Sequence, residues 1–166
     1  SKAFSNGKYN NSSRRSVHLG VDVFTDHGHE ISAPLNGVVW AVENHNHHLD
    51  YGGVVILEHH NNFGDKFYSL YGHLNPNVVN QLTIGQEMKG GEIFCELGSK
   101  HNNGGWAPHL HFQIFLCLEC MDSNWPGVCD PDELKIWSKL CPNPASLLNL
   151  SDTKTAYKKI NETAKA

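Results

Sequence analysis

Four residues in two short motifs carry the most specific chemistry in this chain. His18-Leu19-Gly20-Val21-Asp22 sets a histidine and a carboxylate four residues apart, and Pro108-His109-Leu110-His111-Phe112 sets two histidines two apart in a strand-like run far along the sequence. Imidazoles and a carboxylate drawn from such distant segments form a set that only folding can assemble. Zinc is bound by nitrogen and oxygen donors of this kind, and a catalytic zinc takes three protein ligands and leaves a fourth position for water or substrate. The residue types therefore point to a catalytic metal site.

A strand carrying His109 and His111 sends both side chains to one face, because side-chain direction alternates with period two. One of them can ligate metal while the other stands about one side chain away, where a proton-transfer or oxyanion-stabilising group is wanted. The segment Tyr68-Ser69-Leu70-Tyr71-Gly72-His73-Leu74 adds a fifth candidate, His73, at the end of a strand next to a glycine that permits close backbone approach. His73 is expected across the cleft from His109. Zinc lowers the pKa of a bound water from about 15.7 to about 7, so such a site can hydrolyse an amide without a nucleophilic side chain. No H-E-x-x-H helix supplies a glutamate base. A free imidazole, with an ordinary pKa near 6.5, is the natural substitute.

The elements that must position these residues read as strands. Apolar and β-branched runs over 37–42, 54–59, 66–74, 92–97 and 110–116 are separated by clusters of Gly, Asn, Pro and Asp, the pattern of a mainly β domain. Turns are expected at Ala33-Pro34-Leu35-Asn36-Gly37, Thr83-Ile84-Gly85-Gln86 and Lys89-Gly90-Gly91. Helix is expected only late, over 131–140, where Pro131 and two acidic residues open the first turn, Leu134, Trp137 and Leu140 share a face, and Pro142 stops it. At 166 residues with 39% hydrophobic and 10% aromatic content, one globular domain is the expectation. No apolar run reaches the roughly 20 residues that cross a bilayer. A net charge of -4, with lysines gathered in the last fifteen residues, argues against nucleic acid as a partner.

In order and spacing these motifs resemble those of the LytM/lysostaphin-type zinc metallopeptidases, family M23. The resemblance runs from about Val17 to Gln113. It includes His-x-Gly-Val-Asp at 18–22, Ala-Pro-x-x-Gly-x-Val at 33–39, Tyr-Gly-His-Leu at 71–74, Gly-Gln at 85–86 and Pro-His-Leu-His-Phe at 108–112. It implies a compact, antiparallel, barrel-like β fold of the duplicated hybrid motif kind with a groove, here carrying a short helical C-terminal addition. It also implies one zinc ion held by His18, Asp22 and His111, with His73 and His109 as non-ligand catalytic histidines. The implied activity is endopeptidase cleavage of peptides, the family's usual substrates being the short bridges and stems of bacterial cell walls.

The chain departs from the common pattern after Phe115. Residues 1–16 read as a lead-in, 17–116 as the M23-type core, 117–150 as an appended segment packed on it and 151–166 as a polar tail. The appended segment and Gly104-Gly105-Trp106-Ala107 resemble a variant embedded in a larger protein beside phosphotransferase-like and class III aminotransferase-like domains. That context, the absence of a signal-like start at Ser1-Lys2-Ala3-Phe4 and an odd count of five cysteines favour the cytoplasm over an extracytoplasmic site. Peptides other than wall peptides then enter as substrates.

Two other functions use the same residues. A binding or regulatory module would keep the fold without turnover. A phosphohistidine carrier of related topology would use two facing histidines but has no need of Asp22. The remaining histidines, His27, His29, His45, His47, His48, His59, His60 and His101, are read as lying mostly in polar turns. Cys117-x-x-Cys120 lacks a matching second C-x-x-C, so with Cys129 and Cys141 it reads as packed free thiols rather than a structural zinc site. Trp125 and Trp137 are expected to pin the appended segment to the body, and Trp106 is a candidate for the groove wall.

Overall fold

Three strands are buried on both faces, and alternation along them divides the core into two layers. Val55 and Leu57 join one cluster with Tyr71, Phe112 and Ile114, while their neighbours Val54 and Ile56 join another with Tyr68, Leu70, Phe115 and Trp125. Side chains of a strand face opposite ways in turn, so a continuous apolar run requires cover on each side. The computed structural model describes residues 15–119, 121 and 125–148. Residues 1–14 of the expected lead-in, the tail over 151–166 and Cys120 lie outside the described residues.

The elements run β1 (Val17–His18), β2 (Val21–Phe24), β3 (Glu30–Ser32), β4 (Gly37–His45), β5 (Gly52–His60), β6 (Lys66–Leu74), the short helix α1 (Val78–Gln81), β7 (Glu87–Met88), β8 (Ile93–Glu96), β9 (His109–Phe115), β10 (Val128–Cys129) and helix α2 (Leu134–Leu140). One six-stranded antiparallel sheet has the order β2-β9-β6-β5-β4-β7, and two-stranded ladders join β1 to β10 and β3 to β8. The mainly β, antiparallel class expected from the sequence is what the chain adopts. Strands expected over 54–59 and 110–116 are Gly52–His60 and His109–Phe115, and the one expected over 66–74 coincides with Lys66–Leu74.

The expected helix begins with a 3-10 turn, Pro131–Glu133, and becomes α-helical from Leu134. Asp130 caps it by accepting a hydrogen bond from the Asp132 amide at 3.0 Å, and Pro131 occupies the first position, where no N–H is required. The segment holding this helix covers the layer to which Val54, Ile56 and Phe115 belong. Trp125 is buried in that layer, Trp137 packs against it, and the Leu116 amide donates to the Leu140 carbonyl at 2.8 Å. Among the described residues no helix is long and apolar enough to cross a membrane.

Candidate active site

Register brings the two motifs together. Across β2 and β9 Asp22 pairs with His111 and Phe24 with His109, and across β6 and β9 Gly72 pairs with His111. Residues directly opposite share a face of the sheet, so His111 is flanked by Asp22 on one side and by a residue without a side chain on the other. His18 arrives from β1, which lies outside this sheet and is held by β10: His18 pairs with Val128, and the Leu19 amide donates to the Gly127 carbonyl at 2.9 Å. The chain then crosses His111 at Gly20. A Cβ there would stand 2.6 Å from the Phe112 carbonyl oxygen and 2.9 Å from the His111 ring, so a side chain at this position would push the two motifs apart.

Three donor atoms converge as a result. His18 Nε2 and His111 Nδ1 lie 2.9 Å apart, and each is 3.2 Å from Asp22 Oδ1. His111 is 3% exposed, whereas the Asp22 and His18 side chains are 29% and 33% exposed, so the trio opens to solvent on one side only. Two imidazole nitrogens and a carboxylate oxygen within 4.8 Å of one another match the donor set and number of a catalytic zinc site with an open position.

His73 reaches the same cleft through a bulge. Gly53 pairs with Leu74 but Val55 with Tyr71, so β6 spends one more residue than β5 across this interval, and His73 takes a left-handed φ of 64°. A bulge re-aims a side chain that strict alternation would send to the other face. Next to it Gly72 makes room for Tyr51, since a Cβ there would lie 2.5 Å from Tyr51 Cδ1. The His73 and His109 rings come within 4.3 Å, centroid to centroid. Both have Nδ1 tied to a backbone carbonyl: His73 donates to Asn103 at 3.1 Å and His109 to Ala107 at 2.6 Å. The lone pair of each neutral ring is then on Nε2. His109 Nε2 stands 3.7 Å from Asp22 Oδ2.

The electrostatics follow from burial and pairing. Burial would raise the Asp22 carboxyl, but hydrogen bonds with His111 and His18 outweigh it and hold the group well below the usual carboxylate range. Burial lowers His111. It pushes His73 down to about 3, helped by repulsion from His109 and His111, so His73 is neutral at physiological pH. The cleft walls are largely apolar: Tyr51, Trp106, Trp125 and Pro126 line it, and Phe24, 68% exposed, stacks on His109 at the rim with centroids 4.9 Å apart.

The structure thus brings all five sequence-predicted residues, His18, Asp22, His73, His109 and His111, into one cleft, and Trp106 lines it. Most of the other histidines lie in turns and loops, as expected: His27, His29, His47, His48 and His101 do, whereas His45 ends β4 and His59 and His60 lie on β5. His59 is 2% exposed because Phe67 stacks on its ring and both nitrogens have partners. Cys129 and Cys141 are free and buried, and Cys117 is partly buried. Sequence reasoning missed Tyr51, whose hydroxyl donates to the Trp125 carbonyl at 3.1 Å, and Gln113, whose Oε1 is 2.9 Å from His111 Nε2. Gln113 follows His111 at the same period of two that linked His109 to His111, so a signal for it was present.

A family model described as peptidase family M23 matches residues 16–122, well over half of the chain. The chain belongs to peptidase family M23. Among solved structures, a putative M23 peptidase of Pseudomonas aeruginosa aligns with this M23 chain at a TM-score of 0.52 and 17% identity, covering 92% of this chain and 52% of that one. The catalytic domain of the prophage-encoded M23 protein EnpA of Enterococcus faecalis aligns at 0.48 and 22% identity, covering 77% and 82%. LytU aligns at 0.43 and 21% identity, covering 81% and 95%. No curated protein matches this M23 chain.

Proposed function

We propose that this M23 chain is a zinc-dependent endopeptidase in which His18, Asp22 and His111 hold the metal and His73 and His109 serve the reaction. The observation that carries the reading is the convergence of two imidazole nitrogens and one carboxylate oxygen beside two further imidazoles whose Nε2 lone pairs are left for the cleft. Bound zinc supplies an acidified water and a polarised carbonyl.

The protein's own groups divide the remaining work. His109 Nε2 takes the proton of the attacking water, and Asp22 Oδ2, 3.7 Å away, stabilises the imidazolium that forms. His109 then returns that proton to the leaving amine. His73, held neutral by burial, is poorly suited to accept the proton and instead orients the water through the Nε2 lone pair. The Ala107 and Asn103 carbonyls fix the two rings, so neither must reorganise as charge develops. The exposed Phe24 ring and the apolar walls suit an extended peptide with small side chains, cell-wall type peptides among them. If the chain works beside other domains in the cytoplasm, non-wall peptides are its substrates.

A phosphohistidine role is disfavoured by Asp22, whose oxygens lie 3.7 Å from His109 and 3.2 Å from His111, where a phosphoryl group would meet like charge. The test is a hydrolysis screen of glycine-rich, D-amino-acid-containing and ordinary peptides, with and without a chelator. Cleavage that the chelator stops and zinc restores supports the proposal. Zinc-loaded protein that cleaves no member of the screen would favour the binding module.

A further inference from the structure

The side chain of Gln113 is fully buried, and it is held by parts of the chain that lie beyond residues 16–122, the span matched by the family model. Its amide nitrogen is 3.1 Å from the Pro126 carbonyl oxygen and 3.4 Å from Cys141 Sγ, and its Oε1 is 2.9 Å from His111 Nε2. These contacts permit one arrangement of hydrogens. A carbonyl can only accept, so the amide atom facing Pro126 is the NH2 group. The other amide atom, Oε1, can likewise only accept, so the hydrogen between it and His111 is on Nε2 of the imidazole. In the neutral ring the lone pair is then on Nδ1, the atom that faces Asp22 Oδ1 at 3.2 Å and His18 Nε2 at 2.9 Å. The Cys141 thiol, pushed up to about 11 by burial, keeps its proton and is a weak acceptor, leaving the Pro126 carbonyl as the group that fixes the amide.

We infer that Gln113 is a positioning residue that locks His111 in the Nε2–H tautomer and so presents Nδ1 to the metal, and that the segment after residue 122 holds Gln113 in the required orientation through the Pro126 carbonyl. The inference rests on the proposed role of His111 as a ligand. Groups that hold a ligating histidine by its other nitrogen raise metal affinity by about 10–100-fold. Here that contribution comes from the segment which also packs Trp125 into the core and pairs β10 with β1, so the appended residues complete the site as well as cover it.

The test uses the full chain and the variants Gln113→Leu, which removes the acceptor, and Gln113→Glu, which keeps an acceptor on His111 Nε2. Zinc affinity is measured by competition with a chromophoric chelator, and the His111 tautomer by long-range nitrogen–proton NMR correlation on metal-free protein. The expected result is a zinc affinity about 10–100-fold lower in Gln113→Leu with loss of the single Nε2–H tautomer, and recovery of both in Gln113→Glu. Wild-type affinity and an unchanged tautomer in Gln113→Leu would overturn the inference. If the leucine variant does not fold, the wild-type tautomer decides: an Nδ1–H ring at His111 overturns it. Wild-type protein that binds no zinc would instead defeat the proposed function, while the metal-free tautomer still tests Gln113.

Discussion

His59 and His73 are both buried histidines on neighbouring strands, 2% and 6% exposed, yet they are built for opposite purposes. His59 uses both nitrogens, Nδ1 with the Asn36 carbonyl at 2.7 Å and Nε2 with Ser69 Oγ at 2.7 Å, and Phe67 covers the ring. His73 ties only Nδ1, and among the described residues its Nε2 makes no hydrogen bond. His73 lines the cleft, so its second nitrogen is left to what the cleft binds and is not sealed in the core. His109 repeats the pattern, with Nδ1 on Ala107 and Nε2 toward Asp22. What distinguishes a reactive histidine here is an unspent nitrogen facing a cleft; burial alone does not.

That contrast can be broken most severely at Asp22. Asp22→Ala removes the carboxylate shared by His18, His111 and His109, and zinc affinity is expected to fall by more than the roughly 10–100-fold typical of a residue acting through a ligand. A chelator-competition titration checks this, and an Asp22→Ala protein that binds zinc normally would remove the carboxylate from the ligand set.

His109→Ala comes next. Zinc should remain bound while kcat drops by about 10²–10⁴-fold, the usual scale for losing a positioned proton-transfer group. Paired metal and rate measurements decide it: a variant that loses metal along with activity would make His109 a ligand.

His59→Leu should do the reverse, leaving zinc content and turnover intact while removing about 1–3 kcal/mol of stability, because the Asn36 carbonyl loses its imidazole partner and the Ser69 hydroxyl keeps only Tyr71. Equilibrium denaturation reads this directly, and lost zinc binding in a folded His59→Leu protein would contradict the contrast.

The smallest effect concerns pH. Burial lowers His59, and it pushes His73 down to about 3, so both are neutral in the fold where an unfolded histidine near 6.5 would begin to take up protons. The unfolded chain therefore binds more protons below that value. The stability these rings contribute is complete above about pH 6.5 and is lost as pH falls, for His73 across the window from about 6.5 to 3. Denaturation midpoints of metal-free protein should decline through that range, and less steeply in His59→Leu. A variant with the same slope as the wild type would show that His59 is not held neutral by the fold.

How much of this was legible in the sequence differs between the two kinds of histidine. The five cleft residues belong to short motifs in which spacing carries geometry: period two places His109 and His111 on one face, and the order of motifs supplies the resemblance to M23. His59 closes the strand expected over 54–59 and runs straight into the polar His60-Asn61-Asn62, and only the packing of Phe67 and Ser69 from β6 and of Asn36 from the turn before β4 makes it a core residue. The bulge that aims His73 was foreshadowed by Gly72, but its effect depends on register with β5, which no local pattern specifies. Pairing of β1 with β10 was equally hidden, because each strand has two residues and no periodicity of its own. Gln113 was within reach, one further step along the alternation that had already linked His109 to His111.

The most direct measurement is elemental analysis of the wild-type protein purified without added metal and then dialysed against limiting zinc. One site built from His18, Asp22 and His111 predicts about one zinc per chain that survives dialysis. Protein that retains no zinc after this treatment would contradict the central claim and leave a peptidase fold without its metal.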